Sequence, residues 1–404
     1  MITLSLRAFR AAGCAAALLT AADAAAQTLP SEPFTFGDGR VVLGGDAAVS
    51  VAPEDQGFFN YSDYEQTTLR QVRFGLNGFV RVSDRVSVLG ELRSENSDYV
   101  TPFALYARIH PLPNRRLDIQ IGRIPPTFGS FSRRSYGHDS PLIGSPIAYQ
   151  YLISLRPDSV PADLNELVRM RGRGWLSAFS VGDRAGHRGV PLVSAFTWDT
   201  GVQVAAGWKR ATGAVAVTNG TPSNPRVSDD NAGKQVAFRT TLTPATGLTF
   251  GTSYARGEFL ARQIRPLLSN PTHGYDQAAA EIDVEYSRDH WLARVETVRS
   301  EWMMPIGTTG QAMPLRALAT TFEGRYTFTP GWYAAARVEH LGFNRITTAT
   351  RTTEWEAPVT RTEFGVGYSV QRNLVFKTSL QLNRRDGGRI RSSQLLAAQL
   401  LYWF

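Results

Sequence analysis

The sequence predicts an all-β fold, a transmembrane antiparallel up-and-down β-barrel of about sixteen strands, eighteen if residues 174–199 hold two more. Three observations predict it. Segments of about ten residues alternate apolar and polar side chains, the period of strands with one face in oil and the other in water. Very short turns and longer polar loops alternate along the chain, as in a barrel whose two rims differ. The last segment puts Leu396, Ala398, Leu400, Tyr402 and Phe404 on one face. A helical membrane protein is excluded, because the only long apolar stretch is Ala11 to Ala26 and a spanning helix needs roughly 18–20 such residues. With 43% hydrophobic and 19% charged residues, the 404-residue chain is not disordered.

Residues 1–26 read as a signal peptide. Arg7 and Arg10 give a positive start, Ala11 to Leu19 a short apolar centre, and Ala24-Ala25-Ala26 before Gln27 a small-residue cleavage site. Cys14, the single cysteine, leaves with it, so the mature chain has no thiol chemistry and an oxidising compartment is no hazard. Losing Arg7, Arg10 and Asp23 takes the net charge from +8 to +7. The basic residues are nearly all arginine, since the lysines are Lys209, Lys234 and Lys377 alone. An unclustered excess of this size fits small anionic partners and gives no ground for nucleic acid. Residues 27–40 follow as a periplasmic N-terminal segment, too short for a plug, and 41–404 as the barrel.

The predicted strands are 41–51, 68–82, 85–95, 102–110, 115–124, 200–209, 213–220, 234–243, 246–257, 276–287, 290–302, 315–328, 331–343, 360–370, 373–384 and 390–404. Short turns include Ser83-Asp84, Arg288-Asp289 and Gln371-Arg372; the longer loops are 52–67, 221–233, 258–275, 303–314 and 344–359. Parity sends Phe74, Leu76, Val80, Phe103, Leu105, Ile282 and Tyr286 outward. Trp208, Trp291, Trp332, Tyr326 and Phe328 sit outward beside short turns, where an aromatic girdle belongs. An even strand number brings both ends to one side, and closure leaves no unpaired edge in lipid.

A sixteen-stranded barrel is too wide for its own side chains to fill. The one long insertion, 125–199, is therefore expected to fold into the pore and constrict it; a solvated loop over the mouth is the alternative. It carries eight arginines against six carboxylates and includes Arg133-Arg134 and a short helix from Pro161 to Met170. On parity, Arg73, Arg81, Arg93, Arg108 and Arg116 line strands two to five. Glu281, Asp283, Glu285, Glu296, Glu323, Glu339 and Glu363 gather on strands ten to fourteen, interleaved with Arg294, Arg325, Arg337 and Arg361. These charges either pair and hold the wall in shape, or set an arginine-rich arc against an acidic one and give charge selectivity.

Thr68-Leu69-Arg70-Gln71-Val72-Arg73-Phe74-Gly75-Leu76-Asn77-Gly78 and Leu117-Asp118-Ile119-Gln120-Ile121-Gly122-Arg123-Ile124-Pro125-Pro126-Thr127-Phe128-Gly129 resemble Gram-negative outer-membrane porins of the phosphate-selective (porin O and P) family. The match covers mainly residues 41–130; the rest is similar in architecture. The resemblance implies a trimeric, sixteen-stranded passive channel with basic residues in its pore. The segment ending at Phe404 is similar to the C-terminal porin strand that marks a chain for the barrel-assembly machinery. Outer-membrane lipid and lipopolysaccharide are the implied surroundings.

Two other classes compete. A hydrolase needs a serine beside a histidine base. Gly251-Thr252-Ser253-Tyr254-Ala255 lacks the final glycine of G-x-S-x-G and lies within a strand, while the six histidines show no metal-ligand spacing. A structural or adhesive barrel with an occluded lumen is the other rival. The expectation is a non-enzymatic outer-membrane channel for small hydrophilic solutes, leaning weakly to anions, with no cofactor or metal.

Overall fold

The computed structural model describes residues 30–61, 67–96, 99–112, 116–131, 137–229, 231, 233–270, 274–308 and 311–404. The signal segment 1–26 and the Arg133-Arg134 pair lie outside the described residues. Among the described residues, sixteen antiparallel strands close into one barrel. They are β1 (Val41–Val51), β2 (Gln71–Arg81), β3 (Val86–Glu95), β4 (Thr101–Ile109), β5 (Leu117–Ile124), β6 (Asp199–Gly207), β7 (Ala211–Thr218) and β8 (Gln235–Ala245), then β9 (Leu248–Glu258), β10 (Asp276–Arg288), β11 (Trp291–Ile306), β12 (Gln311–Thr329), β13 (Trp332–Phe343), β14 (Val359–Gln371), β15 (Leu374–Arg385) and β16 (Ser392–Trp403). Each pairs with the next, and β1 meets β16 through Asp46↔Trp403 to Val51↔Ala398. No further barrel strands arise within 174–199. That stretch contributes Val181–Gly182 to a two-stranded sheet with Ser159–Val160.

Three local expectations change. Phe34–Phe36, placed outside the barrel by the sequence, forms a short strand on Val41–Leu43. It covers the part of β1 that β16 does not reach, an edge otherwise left with unpaired backbone groups. The loop expected over 303–314 shrinks, because the β11–β12 ladder continues through Met303↔Pro314 to Ile306↔Gln311. Phe103 points inward and is buried, against its parity. A register shift between Glu91 and Leu92, opposite residues 102–104, inserts one residue and turns the side chain over.

The outer wall is apolar and open. Phe74, Leu76, Phe238, Phe322, Phe364 and Leu396 are all exposed. A continuous apolar exterior of this extent matches a hydrocarbon surrounding and would be an aggregation surface in water. No helix among the described residues is long and apolar enough to cross a membrane. Beside the short turns Trp291 packs on Tyr326 at 4.4 Å and Trp332 on Tyr368 at 4.5 Å. Ile282 is 66% exposed halfway along β10, so Ile282→Arg is expected to cost about 2–4 kcal/mol. Unfolding titrations in lipid vesicles would show it, and an unchanged midpoint would place that face away from lipid.

The core lies inside the cylinder. Small inward residues of the wall, Ala237, Ala255, Ala279, Val298 and Ala317, join one cluster with Tyr149, Ile153, Leu155 and Leu167 of the long segment. The bore is thus partly filled by the 125–199 segment, as its length had suggested.

Candidate functional site

The segment between β5 and β6 is held by the inward side chains of the acidic arc. Its first anchor is Gly129, at φ +81°. A Cβ there would sit 2.2 Å from the Tyr149 hydroxyl, so glycine is required. Gly129 N–H donates to Ser253 Oγ at 3.1 Å, and Ser130 donates to Glu296 from backbone and hydroxyl at 3.0 and 2.9 Å. Tyr149 donates to the same carboxylate at 2.6 Å. Burial, then the negative charges of Glu296 and Glu281, hold the Tyr149 hydroxyl well above its ordinary pKa, so it stays a donor. Gly144 N–H donates to Glu363 and Ile147 N–H to Glu339, both at 2.9 Å.

Cations of the same arc take the segment's carbonyls. Arg337 donates to Gly144 O at 2.6 Å, Arg361 to Ser145 O at 3.0 Å, and Lys377 to Gly137 O and Ser140 O at 2.5 and 2.6 Å. Beyond these contacts, a helix over Leu164–Arg169 is capped by Asp163, which accepts from Glu166 N–H at 2.8 Å, while Glu166 accepts from Ala162 N–H at 2.5 Å. It is shorter than the predicted 161–170.

The wall charges therefore divide by fate. Glu281 and Asp283 are buried with Arg239, at 3.0 and 2.8 Å. Arg239 was missed in the sequence, because its carboxylate partners lie more than forty residues along the chain. Arg294 bridges Glu285 and Glu323 at 2.7 and 3.0 Å. Arg337 is fully buried among Glu323, Glu339 and Glu363 at 3.2, 3.2 and 2.7 Å. Arg325 is half-buried, 5.7 Å from the Tyr333 ring centre. Arg81 and Arg116 are exposed at the short-turn rim, Arg116 just ahead of β5. Arg108 pairs with Asp118 at 2.8 Å. The Ser253 hydroxyl accepts from Gly129 N–H and, at 2.8 Å, from Arg239, which gives this serine a structural part.

On the opposite side a cavity of about 620 Å³ remains between the segment and strands β1–β4. Arg73, Arg93, Arg123, Arg188 and Arg226 line it, and Glu95 is the single carboxylate among the described lining residues. Arg73 pairs with Asp46 at 3.2 Å, and Arg93 with Glu91 at 2.7 Å, the latter guanidinium lying 3.5 Å over the Phe103 ring. Arg123 donates to Trp198 O at 3.1 Å and to Pro102 O. Counting the two ion-paired acids behind the lining, five positive charges meet three negative ones. Arg123 and Arg226 were not singled out in the sequence because they lie at a strand end and in a loop, where no period marks them, while Arg188 was counted only as one of the eight arginines of the inserted segment.

A closed membrane barrel with one connection seated against half its inner wall, and an arginine-lined cavity beside the other half, defines the class of architecture. No family model and no curated protein matches the chain. Among solved structures it is similar to outer-membrane expressed OmpT of Vibrio cholerae, at 10% identity over 92% of this chain and 100% of that one, TM-score 0.56. It is also similar to OmpF of Salmonella typhi in complex with daunomycin, at 10% identity over 90% and 97%, TM-score 0.54. A third likeness is to an anion-selective porin from Comamonas acidovorans, at 9% identity over 90% and 99%, TM-score 0.53. At these identities the shared property is the fold.

Proposed function

We propose that the chain is a porin of a Gram-negative outer membrane, of the type that resembles the phosphate-selective family: a passive channel for small hydrophilic solutes with a preference for anions. The observation that carries the reading is the cavity along β1–β4, bordered by five arginines and one carboxylate. The 125–199 segment is its constriction, with Arg73 and Arg93 on the permeation path. Arg81, Arg108 and Arg116 sit toward the rim, while Glu281, Asp283, Glu285, Arg294, Arg325 and Arg337 support the wall beneath. The short turns and both ends face the periplasm, the long loops the exterior, and three copies assemble in lipopolysaccharide-containing membrane with help from the assembly machinery at the terminal strand.

The test is a planar-bilayer recording of purified protein in potassium chloride. Discrete conductance steps with a reversal potential on the chloride side are expected under a salt gradient. A second reading, a non-conducting structural barrel, draws on the apolar core that occupies part of the bore. A silent bilayer with correctly folded protein would favour it.

A further inference from the structure

The geometry points to a particular class of anion for this passage: organic carboxylates with a flat apolar body, aromatic monocarboxylates above all, carried in preference to acetate or chloride. The inference rests on the channel reading and deepens it. Positive charge alone attracts every anion; what separates anions is the surface beside the charge. Here that surface is aromatic. Phe196 and the 88%-exposed Tyr99 line the same cavity as the arginines, and Phe103, Phe131 and Tyr149 lie buried in its wall behind them.

The two chemistries are interleaved. The Arg93 guanidinium carbon lies 3.5 Å from the centre of the Phe103 ring, a cation–ring platform in the barrel wall. The long segment supplies a second, with Phe131 centred 6.1 Å from Phe196 and 5.1 Å from Tyr149. A guanidinium takes a carboxylate through two parallel N–H donors, and a ring attached to that carboxylate can stack on a neighbouring aromatic or on the guanidinium plane. Chloride or acetate gains the first contact only, and must shed water beside apolar groups that return nothing. A cavity of about 620 Å³ is within the range of roughly 300–1,000 Å³ typical of small-molecule sites.

The experiment measures bi-ionic reversal potentials at pH 7 in planar bilayers, with potassium chloride on one side and potassium benzoate or potassium acetate on the other. Stacking of ordinary strength predicts a benzoate-to-acetate permeability ratio between about 2 and 10, although benzoate is the bulkier ion. Benzoate is also expected to make the chloride current noisier by brief occupancy. Phe196→Ala should bring the ratio down toward one. Conduction with acetate equal to or ahead of benzoate in the unaltered protein overturns the inference and leaves the channel intact. Absence of any conductance in potassium chloride overturns both.

Discussion

Replacing Arg337 by methionine is expected to lower stability by about 3–5 kcal/mol and to enlarge the passage at the same time. The guanidinium has no exposed surface and touches three carboxylates, Glu323, Glu339 and Glu363, as well as the carbonyl of Gly144. Methionine keeps much of the volume and none of the donors, so three buried acids lose their shared cation. The damage then spreads to the long segment. Glu339 and Glu363 hold Ile147 and Gly144 by their backbone N–H groups, and rotation of either acid would release them. Denaturation followed by circular dichroism should show a transition several degrees lower, and single-channel records a larger conductance. Arg337→Lys, with the charge retained and the fork lost, should fall between. A methionine variant with the parent's transition and the parent's conductance would sever the link drawn here between wall charge and segment.

The outer half of this molecule was legible in the sequence and the inner half only in outline. Lipid imposes one rule on every outward position, so Phe74, Leu76, Ile282 and Leu396 betray their direction by alternation alone. Strand order and closure follow, because hairpins join neighbours in sequence. Inside, no single solvent sets the pattern. Glu296 reads as one more lumen acid until Ser130 and Tyr149, more than 140 residues earlier, are found bonded to it. The segment's choice of the acidic side has a physical cause that spacing cannot reveal. Unpaired backbone N–H groups in a narrow bore need acceptors, and carboxylates are the strongest available. Phe103 shows the other limit: one extra residue on β4, opposite Glu91 and Leu92, reverses parity, and no local signal announces it.

The charge of the passage gives the sharpest reversal. Arg188 and Arg226 lie on connections rather than in the wall, and Arg188 is exposed, so both can be exchanged without disturbing the ladder. With Asp46 and Glu91 included, the surroundings of the cavity carry a net +2. Arg188→Glu with Arg226→Glu takes this to −2, and the permeant ion of choice should change from chloride to potassium. The reversal potential under a salt gradient then changes sign. Screening makes the effect largest in dilute salt and weak near 1 M, where the Debye length is about 3 Å and the two side chains no longer sense an ion in mid-passage. The single exchanges, each leaving a net charge of zero, should abolish preference without inverting it. If the double variant still favours chloride in dilute salt, the controlling charges are elsewhere, and the cavity beside β1–β4 is not the route that ions take.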